Sequence, residues 1–91
     1  MEVIISKGFL KDLKYLPKDV ILAADAVIDL LAGAKSLQDS GVDFKKLSGQ
    51  KISKNYYRIR IGEYRIGCEL IQPTIIMITI FSRQDDYKSF P

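Results

Sequence analysis

Apolar and polar positions alternate along residues 55–71 with the period of a strand. Tyr57, Ile59 and Ile61 fall on one side, Tyr56, Arg58 and Arg60 on the other. Gly62-Glu63 interrupts the alternation. It suits a tight turn, with glycine where a positive φ is often needed. Residues 64–71 run back, and closing the hairpin sets Ile61 opposite Tyr64, Arg60 opposite Arg65 and Ile59 opposite Ile66. Gln72-Pro73 breaks the pattern again. Residues 74–81, TIIMITIF, are apolar on both faces and predict a strand covered on each side.

Upstream the period changes. Val3, Ile4 and Ile5 predict a short N-terminal strand, and Ser6 is a candidate cap for the helix after it. Phe9, Leu10, Leu13 and Leu16 recur at helical spacing until Pro17 ends or kinks the run. A second helix begins at Lys18-Asp19. Val20, Ala23, Ala24, Val27, Ile28 and Leu31 line one side of it, Asp25 and Asp29 the other, and Gly33 is its stop. Ile21, Leu22 and Leu30 widen the apolar stripe. Either the helix is pinned between the sheet and its neighbour, or this surface is kept for a partner chain. Residues 34–49 are polar and loop-like; within them Phe44-Lys45-Lys46-Leu47-Ser48-Gly49 reads as a brief extended piece ending in a glycine turn.

The register of the second hairpin stays open. A two-residue turn at Gln72-Pro73 pairs Arg65 with Ile80 and puts Arg83 on the far face. A three-residue loop, or a bulge with the same effect, pairs Arg65 with Phe81 and brings Arg83 to the arginine face. We expect the second arrangement.

Arg60 opposite Arg65 is an arrangement that folding alone does not favour, because like charges directly across a sheet repel. Either both side chains splay into water, or an anion is held between them. A guanidinium presents a planar donor fork that fits phosphate oxygens, and Arg58 on the same face favours the phosphate reading. Lys45, Lys46, Lys51 and Lys54 precede this strand. They read equally well as a solvated charge run and as a basic approach to the arginines.

Ninety-one residues make one small domain, residues 1–91, with 47% hydrophobic positions and a net charge of +3. That charge permits an anionic partner without requiring one. The lone cysteine, Cys68, rules out an internal disulfide framework and reads as a buried small hydrophobe. There is no histidine, and no Asp/Glu/Cys cluster has ligand spacing, so neither a metal nor any other cofactor is expected. The N-terminal apolar run is too short for a signal peptide, and no stretch is long enough to span a bilayer. The expectation is a soluble cytoplasmic protein with no membrane association.

Three segments together resemble the RelE/ParE toxin superfamily of bacterial type II toxin–antitoxin systems. They are Phe44-Lys45-Lys46-Leu47-Ser48-Gly49, then Tyr57-Arg58-Ile59-Arg60-Ile61-Gly62-Glu63-Tyr64-Arg65, then Arg83-Gln84-Asp85-Asp86-Tyr87. The resemblance spans essentially the whole chain, and the middle segment is its most specific part. It implies an α+β fold, two N-terminal helices packed on a curved antiparallel β-sheet. In the RelE branch it implies an endonuclease that binds mRNA in the 30S ribosomal A site. The 2′-hydroxyl attacks the adjacent phosphate without metal, and translation stops. It also implies a cognate protein antitoxin, with operator DNA bound only through the toxin–antitoxin complex.

By position, the resemblance puts Arg58 near the attacking hydroxyl and Arg60 and Arg65 on phosphate. It puts Arg83 near the leaving group and makes Tyr87 the C-terminal aromatic that stacks on a base or assists proton transfer. Lys45, Lys46, Lys51, Lys54 and Tyr56 would contact RNA. Arginine is a poor general base at ordinary pH, so the proton acceptor is unassigned, with Tyr87, Glu63 or a ribosomal group as candidates. Ser82 stands where many relatives carry histidine. The ParE branch supplies the alternative, a toxin of the same fold that inhibits DNA gyrase by binding it and cuts no RNA.

Overall fold

The computed structural model describes residues 1–47, 54–85 and 90. In chain order the elements are β1 (Glu2–Ile5), α1 (Lys7–Lys14), α2 (Lys18–Ala32), β2 (Phe44–Lys46), β3 (Tyr56–Ile61), β4 (Tyr64–Ile71) and β5 (Thr74–Ser82). A 3-10 turn, Arg83–Asp85, follows. The strands form one sheet in the order β1-β5-β4-β3-β2. All neighbours are antiparallel except β1 and β5.

Each helix boundary has a local cause. Ser6 caps α1, its Oγ accepting from the Phe9 amide at 3.0 Å. Pro17 has no amide hydrogen to continue α1 and stands at the N-terminus of α2, where a missing donor costs nothing. Gly33 closes α2, its amide donating to the Asp29 carbonyl at 3.1 Å.

Both helices bury their apolar stripes against one face of the sheet. Phe9, Ala24 and Leu31 meet Ile59, Ile66, Cys68, Ile75 and Met77, all without accessible surface. Leu37 is equally buried, which ties the polar segment between α2 and β2 to the core. The Ser40 Oγ beside it donates to the Leu37 carbonyl at 2.6 Å. The widened stripe of α2 divides: Ile21 packs on the core, whereas Leu22 and Leu30 are 59% and 50% exposed.

The first hairpin closes over Gly62-Glu63 with Gly62 at φ +63°, giving the expected pairs Ile61–Tyr64, Arg60–Arg65 and Ile59–Ile66. The second combines features of the two registers considered. It turns through two residues, pairing Ile71 with Thr74, yet Arg65 faces Phe81. A bulge reconciles them: Gly67 pairs with Thr79 and Cys68 with Met77, so Ile78 is the extra residue. The bulge is held from outside the sheet. Ser6 Oγ donates to the Ile78 carbonyl at 3.0 Å, and a Cβ on Gly8 would lie 3.3 Å from that same oxygen. Asp12 of α1 accepts from Thr79 Oγ1 at 2.6 Å. The N-terminal segment therefore sets the register that carries Phe81 to the arginine face.

Candidate phosphate-binding cleft

The face of the sheet away from the core carries the arginines. A cleft of about 310 Å³ opens there, lined by Asp43, Phe44, Lys45, Arg58, Arg60 and Arg65. Three strands build it. Lys45 of β2 is opposite Arg58 of β3, and Arg60 of β3 is opposite Arg65 of β4. Strand alternation, which sends Ile59 and Ile66 into the core, sends these neighbours to the open side.

The guanidinium groups are held apart. Arg60 turns toward β2, with Nε and Nη2 each 2.7 Å from Asp43 Oδ2. Arg65 folds back over the turn, Nη1 donating to the Gly62 and Tyr64 carbonyls at 2.9 Å. Arg83 lies outside the cleft lining. Its Nη1 is 3.6 Å from Glu63 Oε2, and its amide donates to the Glu63 carbonyl at 2.7 Å. Two arginines thus meet carboxylates. Both pairs are well exposed, and an exposed pair contributes about 0–1 kcal/mol, so neither does much to stabilise the fold.

Of the residues expected at the site, the cleft brings together Lys45, Arg58, Arg60 and Arg65. It does not gather Lys46, Lys54 or Tyr56. Lys46 is opposite Tyr57, whose ring is in the core, so alternation directs it away from the arginines. Lys54 is exposed ahead of β3. Tyr56 is on the open face at the far end of β3, opposite Glu69. Tyr87 and Lys51, and the expected turn at Gly49, lie outside the described residues.

Two residues of this face were given no site role by the sequence. Asp43 gave no signal in one dimension; only the pairing of Phe44 with Ile59 brings it beside Arg60. Phe90 did leave a trace, an isolated glycine in mid-strand, which marks a close approach by another group. A Cβ on Gly67 would lie 2.8 Å from the Phe90 ring. That ring meets Tyr56 edge-on at 5.3 Å and Phe81 at 6.5 Å. Cys68, on the opposite face, is fully buried, and burial pushes its thiol up to about 12, so it is no nucleophile. Among the described residues no group of three or more Cys, Asp or Glu side chains is placed to hold a metal, and no helix is long and apolar enough to cross a membrane.

Comparison with known proteins agrees with this architecture. A family model described as the ParE toxin of the type II toxin–antitoxin system parDE matches residues 3–87. The curated protein Toxin RelE3 of Methanocaldococcus jannaschii is 40% identical over 91 residues, covering both chains completely. Among solved structures, the RelB–RelE antitoxin–toxin complex from Methanococcus jannaschii contains a chain 38% identical with a TM-score of 0.79, the match covering 97% of this chain and 99% of that one. A chain of the archaeal RelE–RelB complex from Pyrococcus horikoshii OT3 is 26% identical with a TM-score of 0.71, covering 90% of this chain and 93% of that one. With the α+β fold, the open arginine face and full-length relatives in agreement, this chain belongs to the RelE/ParE superfamily, as a RelE-like toxin of a type II toxin–antitoxin system.

Proposed function

We propose that the protein is an endoribonuclease that cuts mRNA in the ribosomal A site and so halts translation in the cytoplasm. The observation that carries this reading is the cleft in which Arg60 and Arg65 face each other across β3 and β4, with Arg58 and Lys45 beside them. In this mechanism the 2′-hydroxyl of one nucleotide attacks the adjacent phosphorus. The bond to the 5′ oxygen breaks, leaving a 2′,3′-cyclic phosphate and a 5′-hydroxyl. Negative charge gathers on the equatorial oxygens, and preorganised guanidinium groups stabilise it without a metal. Arg60 and Arg65 hold the phosphate, Arg58 lies toward the attacking hydroxyl, Arg83 toward the leaving oxygen, and Tyr87 stacks or passes a proton. Lys45 beside the arginines and the stacking of an unpaired base on Tyr56 complete the RNA contact.

Arg65→Ala tests this directly. Mapping 5′ ends of messages in a translating extract should reveal cuts with the parent and about 100-fold fewer with the variant, the loss typical of removing one transition-state donor. The match to a ParE family model keeps one alternative in view, inhibition of DNA gyrase without RNA cleavage. Growth arrest with intact messages and lost supercoiling activity would establish that alternative instead. We also propose a RelB-like antitoxin as partner, because both solved relatives are antitoxin–toxin complexes and Leu10, Leu22 and Leu30 leave apolar surface exposed on the helices. A cognate antitoxin should restore growth and co-purify; operator DNA would be bound only through that complex.

A further inference from the structure

Asp43 and Arg60 are joined twice. The Arg60 amide donates to the Asp43 carbonyl at 2.8 Å, and Nε and Nη2 both reach Oδ2 at 2.7 Å. The backbone bond extends the β2–β3 ladder by one residue, so the carboxylate starts from a fixed point. A guanidinium has two hydrogen-bonding edges. Asp43 occupies the edge formed by Nε and Nη2. The other, formed by Nη1 and Nη2, is left to meet a ligand, since Nη1 has no hydrogen-bond partner among the described residues.

The placement matters because of what stands on Arg60's other side. Arg65 is its direct cross-strand partner, and two like charges at that separation repel. Asp43 draws Arg60 toward β2 while the Gly62 and Tyr64 carbonyls draw Arg65 toward the turn. Both guanidinium groups line the cleft, together with Asp43, Lys45 and Arg58.

We propose that Asp43 is the positioning residue of the phosphate site. It parts Arg60 from Arg65 and aims the free edge of Arg60 at a phosphodiester of RNA. This rests on the RNA-cleaving reading above. The opposite effect is physically clear: a carboxylate that merely neutralised Arg60 would compete with phosphate, and removing it would strengthen binding.

The test pairs arginine Nε–Hε NMR on the full chain, titrated with inorganic phosphate, with cleavage rates in a translating extract. In the parent, the Arg60 Nε–H should be shifted downfield and slow to exchange; Asp43→Ala should abolish that signature while leaving the unfolding temperature close to the parent's, as for an exposed pair. Asp43→Ala should cut about tenfold more slowly at saturating ribosome–message complex, with half-saturation little changed. Asp43→Asn should recover most of the rate, because its amide oxygen accepts the same N–H groups. Adding Asp43→Ala to Arg60→Ala should cost nothing further, since the two act as a unit.

Faster cleavage and tighter phosphate binding in both Asp43 variants would overturn the assignment, as would full additivity with Arg60→Ala. If the parent cuts and Asp43→Ala cuts equally fast, only the role of Asp43 falls. If the parent makes no cuts at all, the endonuclease reading falls first.

Discussion

Ile59, Ile66 and Ile80 stand in one row across β3, β4 and β5, and none keeps more than 4% of its surface. One residue along, on the other side of the same strands, the row is Arg60, Arg65 and Phe81. The first row needs only volume and apolarity, which two helices supply. The second places two cations directly opposite each other, which the fold does not need. The difference separates residues that make the protein from residues that make its site. It also explains why the arginines are tethered individually, by Asp43, by backbone carbonyls and by Glu63, rather than packed.

That contrast is open to attack on each face. Ile66→Ala should destabilise by about 2–5 kcal/mol in urea unfolding, the cost of a cavity beneath both helices. Arg65→Ala should instead leave stability within about 1 kcal/mol of the parent, or raise it by relieving repulsion, while lowering cleavage about 100-fold. Equal destabilisation by the two variants would mean that the arginine face is structural after all.

A smaller effect is expected where the open face does pack. Gly67→Ala forces the Phe90 ring off the strand and should cost about 1–3 kcal/mol. In a Phe90→Ala background the same substitution should cost much less, since the clash has gone. Equal costs in both backgrounds would show that the tail does not rest there in solution.

The least change is expected at Cys68. Burial raises its thiol from 9.0 to about 12, so the unfolded chain ionises first. Below pH 9 both states keep the proton and stability is unaffected; above it, stability declines as pH rises toward 12. Urea midpoints at pH 8 and pH 10.5 should diverge more for the parent than for Cys68→Ala. Iodoacetamide should leave the native thiol unlabelled at pH 8.

Much of the fold was legible because local rules suffice for it. Gly62 permits the positive φ of a two-residue turn, and that turn alone dictates that Arg60 meets Arg65. Ser6, Pro17 and Gly33 mark helix ends through hydrogen bonds or missing donors within a few residues of themselves. Leu37 was not legible, since one leucine in a polar segment has no periodicity to betray its burial.

What the chain determined unaided is therefore its elements, the two-faced hairpin and the crowding of Arg58, Arg60 and Arg65 on one side. These follow from periods of 2 and 3.6 and from turn chemistry, all short-range. Tertiary structure alone decided that β1 joins β5 in parallel, that a bulge at Ile78 carries Phe81 to face Arg65, and that Asp43 rather than solvent takes one edge of Arg60. Each of these depends on partners far apart in sequence, Ser6 with Ile78 or Asp43 with Arg60, whose pairing leaves no periodic trace along the chain. A single residue of slip between β4 and β5 would have set Ile80 rather than Phe81 opposite Arg65.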